Sequence, residues 1–212
     1  MPVAEVNGIE LYYEEQGEGP GLVFLHGAAG NHIIWWQQLP AFRDRFRCVS
    51  IDHRGFGRST DPAGESAARF VDDLEALLDT LGIERTALVS QSMGGRTALG
   101  FAVRHPQRVS ALVLADTSAS IDWPEFNEEL ERQRAAIGLA SGPLVVAALG
   151  EKFQQRDAER AFLYRQISGL NPPDAAARGR ARAPRPAPPP PPPPEGGGAG
   201  RGGGSAAPPP PP

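Results

Sequence analysis

From residue 3 to about residue 120, short runs of β-branched and apolar residues alternate with longer stretches of helical period. Val3–Val6 and Ile9–Glu14 flank Asn7-Gly8, a pair that supplies the two positive-φ residues of a tight type I′ turn, so they predict a hairpin. Gly21–Leu25 (GLVFL) is apolar throughout and predicts a strand buried on both faces; Cys48–Ile51, Thr86–Ser90 and Val109–Leu114 repeat the pattern. Between them, Phe70, Leu74, Leu77, Leu78 and Leu81 fall on one helical stripe that Gly82 closes. Met93–Arg104 predicts a helix of small residues ended by His105-Pro106.

Strands that alternate with helices, without hairpin turns between them, imply a parallel sheet. The fold class expected is α/β: a mostly parallel sheet with flanking helices. Ligands of such sheets bind beyond the carboxyl ends of the strands. Here those ends read His26-Gly27, Asp52-His53-Arg54, Gln91-Ser92 and Asp116-Thr117, so the polar chemistry collects where the architecture places a site. After residue 120 the pattern turns helical, with Glu125–Ile137 and Leu144–Ile167 as candidates, and no later strand follows. The sheet is therefore expected to be incomplete at its C-terminal side. Its last strand, Val109–Leu114, becomes an open apolar edge suited to self-association.

Composition changes at Leu170. Residues 171–212 hold 16 of the 23 Pro and 8 of the 25 Gly, and no aliphatic residue larger than Ala, no aromatic, no Met and no Cys. Such a segment cannot bury enough apolar surface to offset the entropy of ordering it, so a disordered tail is expected. The division is then a core at 1–120, the start of a helical cap at 121–170, and a tail at 171–212. Of the 42 tail residues, 38 are Pro, Gly, Ala or Arg, and the body has 15 Arg against one Lys. That pattern fits a G+C-rich gene read in a shifted frame; a genuine polyproline II tail through Pro188–Pro194 is the other reading.

Charge divides at the same place. The tail carries Arg178, Arg180, Arg182, Arg185 and Arg201 against Asp174 and Glu195, so the net −4 separates into +3 on the tail and −7 on the body. An acidic body argues against nucleic acid or an anionic membrane as partner. A single cysteine, Cys48, excludes an internal disulfide, and the polar first 19 residues do not read as a signal segment. A cytoplasmic protein is expected.

Strand, Ser90-Gln91-Ser92-Met93-Gly94, helix is the layout of a nucleophile elbow. Its tight turn holds the Ser hydroxyl out at the sheet edge and requires small residues two before and two after it. Leu22–Gly30 (LVFLHGAAG), Asp52–Ser59 (DHRGFGRS), Ser90–Gly95 (SQSMGG) and Leu112–Thr117 (LVLADT), in this order and spacing, resemble the α/β-hydrolase family. Its esterase, lactonase and carbon–carbon hydrolase branch is the nearer likeness. The resemblance implies Ser92 as nucleophile of an acyl-enzyme on a small ester or lactone, and the backbone amides of Ala28 and Met93 as oxyanion donors. His26, Gly27, Trp35, Asp52 and Arg54 are the pocket or loop residues expected around them. Haloalkane dehalogenases and most epoxide hydrolases of the fold use an Asp where Ser92 stands.

Ser is a weak nucleophile without a base and an orienting acid, which in this family follow it in the order acid, then His. Asp116 is the candidate acid. The four histidines are His26, His32, His53 and His105, and none follows residue 105. No base is identified; His32 is the one with a conceivable reach. No cofactor and no metal are expected, since there is no Cys pair, no His-Glu-x-x-His and no phosphate loop. Three functional classes stay open: a serine hydrolase impaired by loss of its His, an inactive small-molecule-binding relative, and a non-functional truncated or frameshifted product.

Overall fold

A computed structural model of the chain describes residues 2–119, 121, 123–136 and 149–180. Six strands form one sheet: β1 (Val3–Val6), β2 (Ile9–Gln16), β3 (Gly21–Leu25), β4 (Arg47–Ile51), β5 (Thr86–Gln91) and β6 (Val109–Ala115), in the spatial order β1-β2-β4-β3-β5-β6. The first hairpin is antiparallel and β2 pairs antiparallel with β4; β4, β3, β5 and β6 run parallel. Asn7 and Gly8 take φ values of 47° and 76°, as the type I′ turn requires.

Side chains of β3 divide between two cores. Val23 and Leu25 pack with Val49, Ile51 and Leu88 against helices α2 (Phe70–Thr80) and α3 (Met93–Arg104), through Leu74, Leu77, Leu78, Ala98 and Phe101. Leu22 and Phe24 face the other way and meet Trp35, Leu39 and Cys48, next to the short helix α1 (Gln38–Phe42). The strand is buried on both faces because helical layers cover both sides.

The helical region differs from its reading in the sequence. Helix α4 spans Pro124–Ala136, while Ile137 and residues 144–148 lie outside the described residues. The remainder of the second predicted helix is divided into α5 (Glu151–Arg156) and α6 (Ala158–Gly169). Asp157 is the reason: its carboxylate accepts the Arg160 amide at 3.0 Å and caps a new helix there.

Residues 171–180, which composition assigns to the tail, form a turn and helix α7 (Ala175–Arg180) packed on the body. Ala175 is fully buried among Ala28, Phe56, Ala67, Phe70 and Met93. A small side chain fits that gap where a large one would not, so a run of Ala docks without the bulky residues a core usually needs. The rest of the expected tail, 181–212, lies outside the described residues.

Candidate active site

The spatial order reverses direction at β3, whose successor β4 lies on one side and β5 on the other. The crevice at such a switch point opens beyond the carboxyl ends of β3 and β5. Ser92 follows β5 directly, and its backbone has φ 50° and ψ −114°. A non-glycine residue held in that region is strained, and strain of this kind persists only where the surroundings impose it. Here they do so from three sides. The Ser92 amide donates to Ala115 at 3.0 Å, the Thr117 hydroxyl donates to the Ser92 carbonyl at 2.6 Å, and Gly95 N–H donates to the same carbonyl at 3.0 Å.

The glycines after Ser92 are demanded by packing. A Cβ on Gly94 would collide with the Leu25 carbonyl, and one on Gly95 with the Thr117 side chain. Ser90 takes the place of the first small residue; its hydroxyl turns aside and donates to the Val113 carbonyl at 2.9 Å. From β3, Gly27 comes so close that a Cβ there would stand 3.1 Å from the Ser92 Cβ. Ala28 and Met93 belong to one buried cluster at the strand ends, which brings together the two residues whose amides the sequence singled out. Met93 opens α3, so its N–H receives no acceptor from the helix ladder and sits at the positive end of the dipole.

The histidines are placed elsewhere. His26 is fully buried; its Nε2 accepts the His53 amide at 3.0 Å, which leaves the proton on Nδ1, 2.8 Å from the Gly27 carbonyl. This pair shapes the turn that carries Gly27 and Ala28. Burial pushes the His26 pKa down and that of His53 well down, so both rings stay neutral. His53 Nε2 lies 3.1 Å from the Thr97 hydroxyl on α3. His32 sits two strands from Ser92: Nδ1 is 2.8 Å from Asp52, and Nε2 is 3.5 Å from Glu14 on β2. His105, at the far end of α3, faces Glu75 at 3.3 Å. The reach to Ser92 conceived for His32 is thus taken up by its contact with Asp52.

Other expected site residues separate into three groups. Asp116 follows β6, close to Ser92 through Ala115, but its side chain is exposed and its φ is 48°. Asp52 is fully buried and accepts the His32 amide, the His32 ring and the Arg58 amide, so it ties loops to β4. Arg54 is also structural. Its guanidinium grips Asp73 of α2 at 2.8 and 2.7 Å, reaches Glu65 at 3.3 Å and donates to the Asn7 carbonyl. Trp35, expected in the pocket, instead packs in the core against Phe24 with ring centres 5.2 Å apart.

Two residues that the sequence did not single out hold the site together. Asn31 donates to the Ile167 carbonyl at 2.7 Å, and Asn171 donates to Gly30 at 3.0 Å while accepting the Gly57 amide at 2.9 Å. Together they pin the end of α6 onto the loop that carries Ala28. Asn171 stands at the first position of the low-complexity segment, and nothing local marks it. Among the described residues no group of three His, Cys, Asp or Glu side chains could hold a metal ion, and no helix is long and apolar enough to cross a membrane.

Residues 20–162 match the family model of the alpha/beta hydrolase fold. The chain belongs to that family. This hydrolase-fold chain is 29% identical over 176 residues to the 2-(acetamidomethylene)succinate hydrolase of Mesorhizobium japonicum, covering 82% of the chain and 63% of that protein. It is 28% identical over 190 residues to haloalkane dehalogenase 2 of Mycobacterium tuberculosis, with the same two coverages. Among solved structures it resembles Est816, an N-acyl homoserine lactone degrading enzyme, with TM-score 0.66 and 31% identity over 84% of this chain and 70% of that one. The chain spans 37–63% of the length of curated relatives that it matches.

Proposed function

We propose that this chain carries the nucleophile and oxyanion half of a serine acyl-transfer site for a small ester or lactone. The observation that carries the reading is the imposed backbone of Ser92 at the switch point, with Gly27 against it and Ala28 and Met93 in one cluster beside it. In the reaction, Ser92 Oγ bonds to the acyl carbon, the negative charge passes onto the carbonyl oxygen near the two amides, and the alcohol leaves with the hydroxyl proton. Water then attacks the acyl carbon and releases the acid. Amides aimed at the developing oxyanion contribute about 3–4 kcal/mol each to such a transition state. Relatives named for hydrolysis of an amide-bearing succinate and for degradation of a lactone support the acyl class. A dehalogenase also matches, but Ser92, where the family resemblance implies an Asp for carbon–halogen displacement, favours acyl chemistry.

The proton acceptor is the weak part of this site. All four histidines hold other partners, which supports an impaired enzyme; the same observation favours the second reading, a binding relative without turnover. Removing a triad His has cost about 10⁶-fold in a serine hydrolase, with ~10³–10⁴ over water remaining. Turnover of p-nitrophenyl acetate is therefore expected near background, with Ser92→Ala changing it little. Added imidazole tests the proposal by supplying the base from solution. Rate should rise with imidazole in the parent chain and not in Ser92→Ala. An equal rise in both rejects the Ser92 site in favour of the binding reading; vigorous Ser92-dependent turnover without imidazole rejects the missing base.

A further inference from the structure

The carbonyl and the N–H of one trans peptide lie in a single plane and point in opposite directions, so a group that grips the oxygen also aims the N–H. The Ser92–Met93 peptide works as such a lever. It is trans, its oxygen is the Ser92 carbonyl, and its N–H is the Met93 amide at the head of α3. That oxygen receives two donors. Gly95 N–H, at 3.0 Å, belongs to the first turn of α3. The Thr117 hydroxyl, at 2.6 Å, comes from outside the helix, 25 positions further along the chain.

Thr117 is itself held from several sides. Its Oγ1 accepts the Ala119 amide at 2.9 Å, which leaves the hydroxyl proton for the Ser92 carbonyl. Its Cγ2 sits over Gly95, where an added Cβ would stand 2.5 Å from it. The turn that carries Thr117 is strained: Asp116 and Ala119, neither of them glycine, take φ values of 48° and 49°. Strain of this kind persists only where the surroundings impose it, and here it delivers one hydroxyl to one carbonyl.

We propose that Thr117 is a positioning residue for the acyl-transfer site: by gripping the Ser92 oxygen it aims the Met93 N–H at the carbonyl oxygen of the substrate. The role rests on the reading of Ser92 as nucleophile and Met93 as oxyanion donor. A carbonyl that accepts hydrogen bonds also polarises its own peptide, which makes the N–H at the other end a stronger donor. Both effects grow as negative charge develops on the substrate oxygen, so they act on the transition state and little on binding of the ester. Thr117 works through the peptide and needs no contact with the substrate.

Thr117→Val keeps the shape and removes the donor; Thr117→Ser keeps the donor and removes the methyl. With imidazole as base and p-nitrophenyl acetate as substrate, Thr117→Val should lower the Ser92-dependent kcat roughly tenfold, with KM unchanged. The loss is smaller than the ~10²–10³ of a deleted oxyanion donor because the Met93 N–H is misaimed and still present. Thr117→Ser should keep most of the rate. A second readout does not depend on turnover: the Met93 amide resonance should shift in Thr117→Val and hold its position in Thr117→Ser. An unchanged kcat in Thr117→Val, an equal fall in Thr117→Ser, a rise in KM alone, or a Met93 resonance indifferent to Thr117→Val would each overturn the role of Thr117 and leave the nucleophile standing. A parent chain with no Ser92-dependent rate would instead overturn the nucleophile reading, and this role with it.

Discussion

Strands β3 and β6 are both parallel, both nearly all apolar, and would be assigned to the same kind of buried strand from their residues. All five residues of β3 are buried, whereas none of the seven in β6 is. The difference is one of position. β3 has a strand on each side and helices on each face; among the described residues β6 has one neighbour, and Val109 and Leu112 alone of its side chains lean on the core. Hydrophobicity records what a segment tolerates, and burial depends on what the rest of the chain brings to it.

The largest effect should come from the buried charge pair that ties α2 to the loop after β4. Asp73→Ala leaves the Arg54 guanidinium, 1% exposed, without its bidentate partner. Loss of one member of such a pair costs about 3–5 kcal/mol, to be read from urea unfolding. Glu129→Ala, which breaks the exposed Arg132 pair on α4 at 3.0 Å, should change stability by ~0–1 kcal/mol. Phe24→Ala in β3 should cost about 3–5 kcal/mol, because Trp35 and Phe42 cannot close the gap. Leu114→Ala in β6 should stay within about 0.5 kcal/mol at monomer concentrations. Equal costs at the two positions would show that β6 is covered in solution.

Acid sharpens the contrast further. His26 and His53 are buried with depressed pKa values, so the unfolded chain takes up protons near pH 6.5 that the folded chain refuses. Stability from these groups is complete above that pH and declines as pH falls below it, at about 1.4 kcal/mol per pH unit for each proton taken up on unfolding. Melting temperatures between pH 7.5 and 5 should fall accordingly. Replacing His53 with Gln should flatten the slope, and an unchanged slope would show that the ring is reached by water.

The local pattern carried much of this architecture. Asn7-Gly8 has one favourable reading beside two strands, and so does a Leu stripe closed by Gly82. A serine between a strand and Gly94-Gly95 marks a strained turn from the residues alone. Other features left no local trace. Arg54 read as a site residue because it follows Asp52 at a strand end, yet Asp73, 19 positions away, claims it. His32 read as a candidate base because its loop lies near the strand ends, and a buried Asp52 takes it. Trp35 read as a pocket wall and became core because α1 closes over that face of the sheet.

Period, turn chemistry and composition by themselves determined the six strands, helices α2 and α3, the fold class and the place of Ser92, because each depends on a few consecutive residues and on backbone sterics. The tertiary structure alone decided the partner of every buried charge, the docking of 171–180 through Asn171 and Ala175, and the exposure of β6. Those outcomes depend on which distant groups arrive at one point. A desolvated charge must find a partner wherever the fold supplies one, and an apolar strand is buried only if a neighbour covers it.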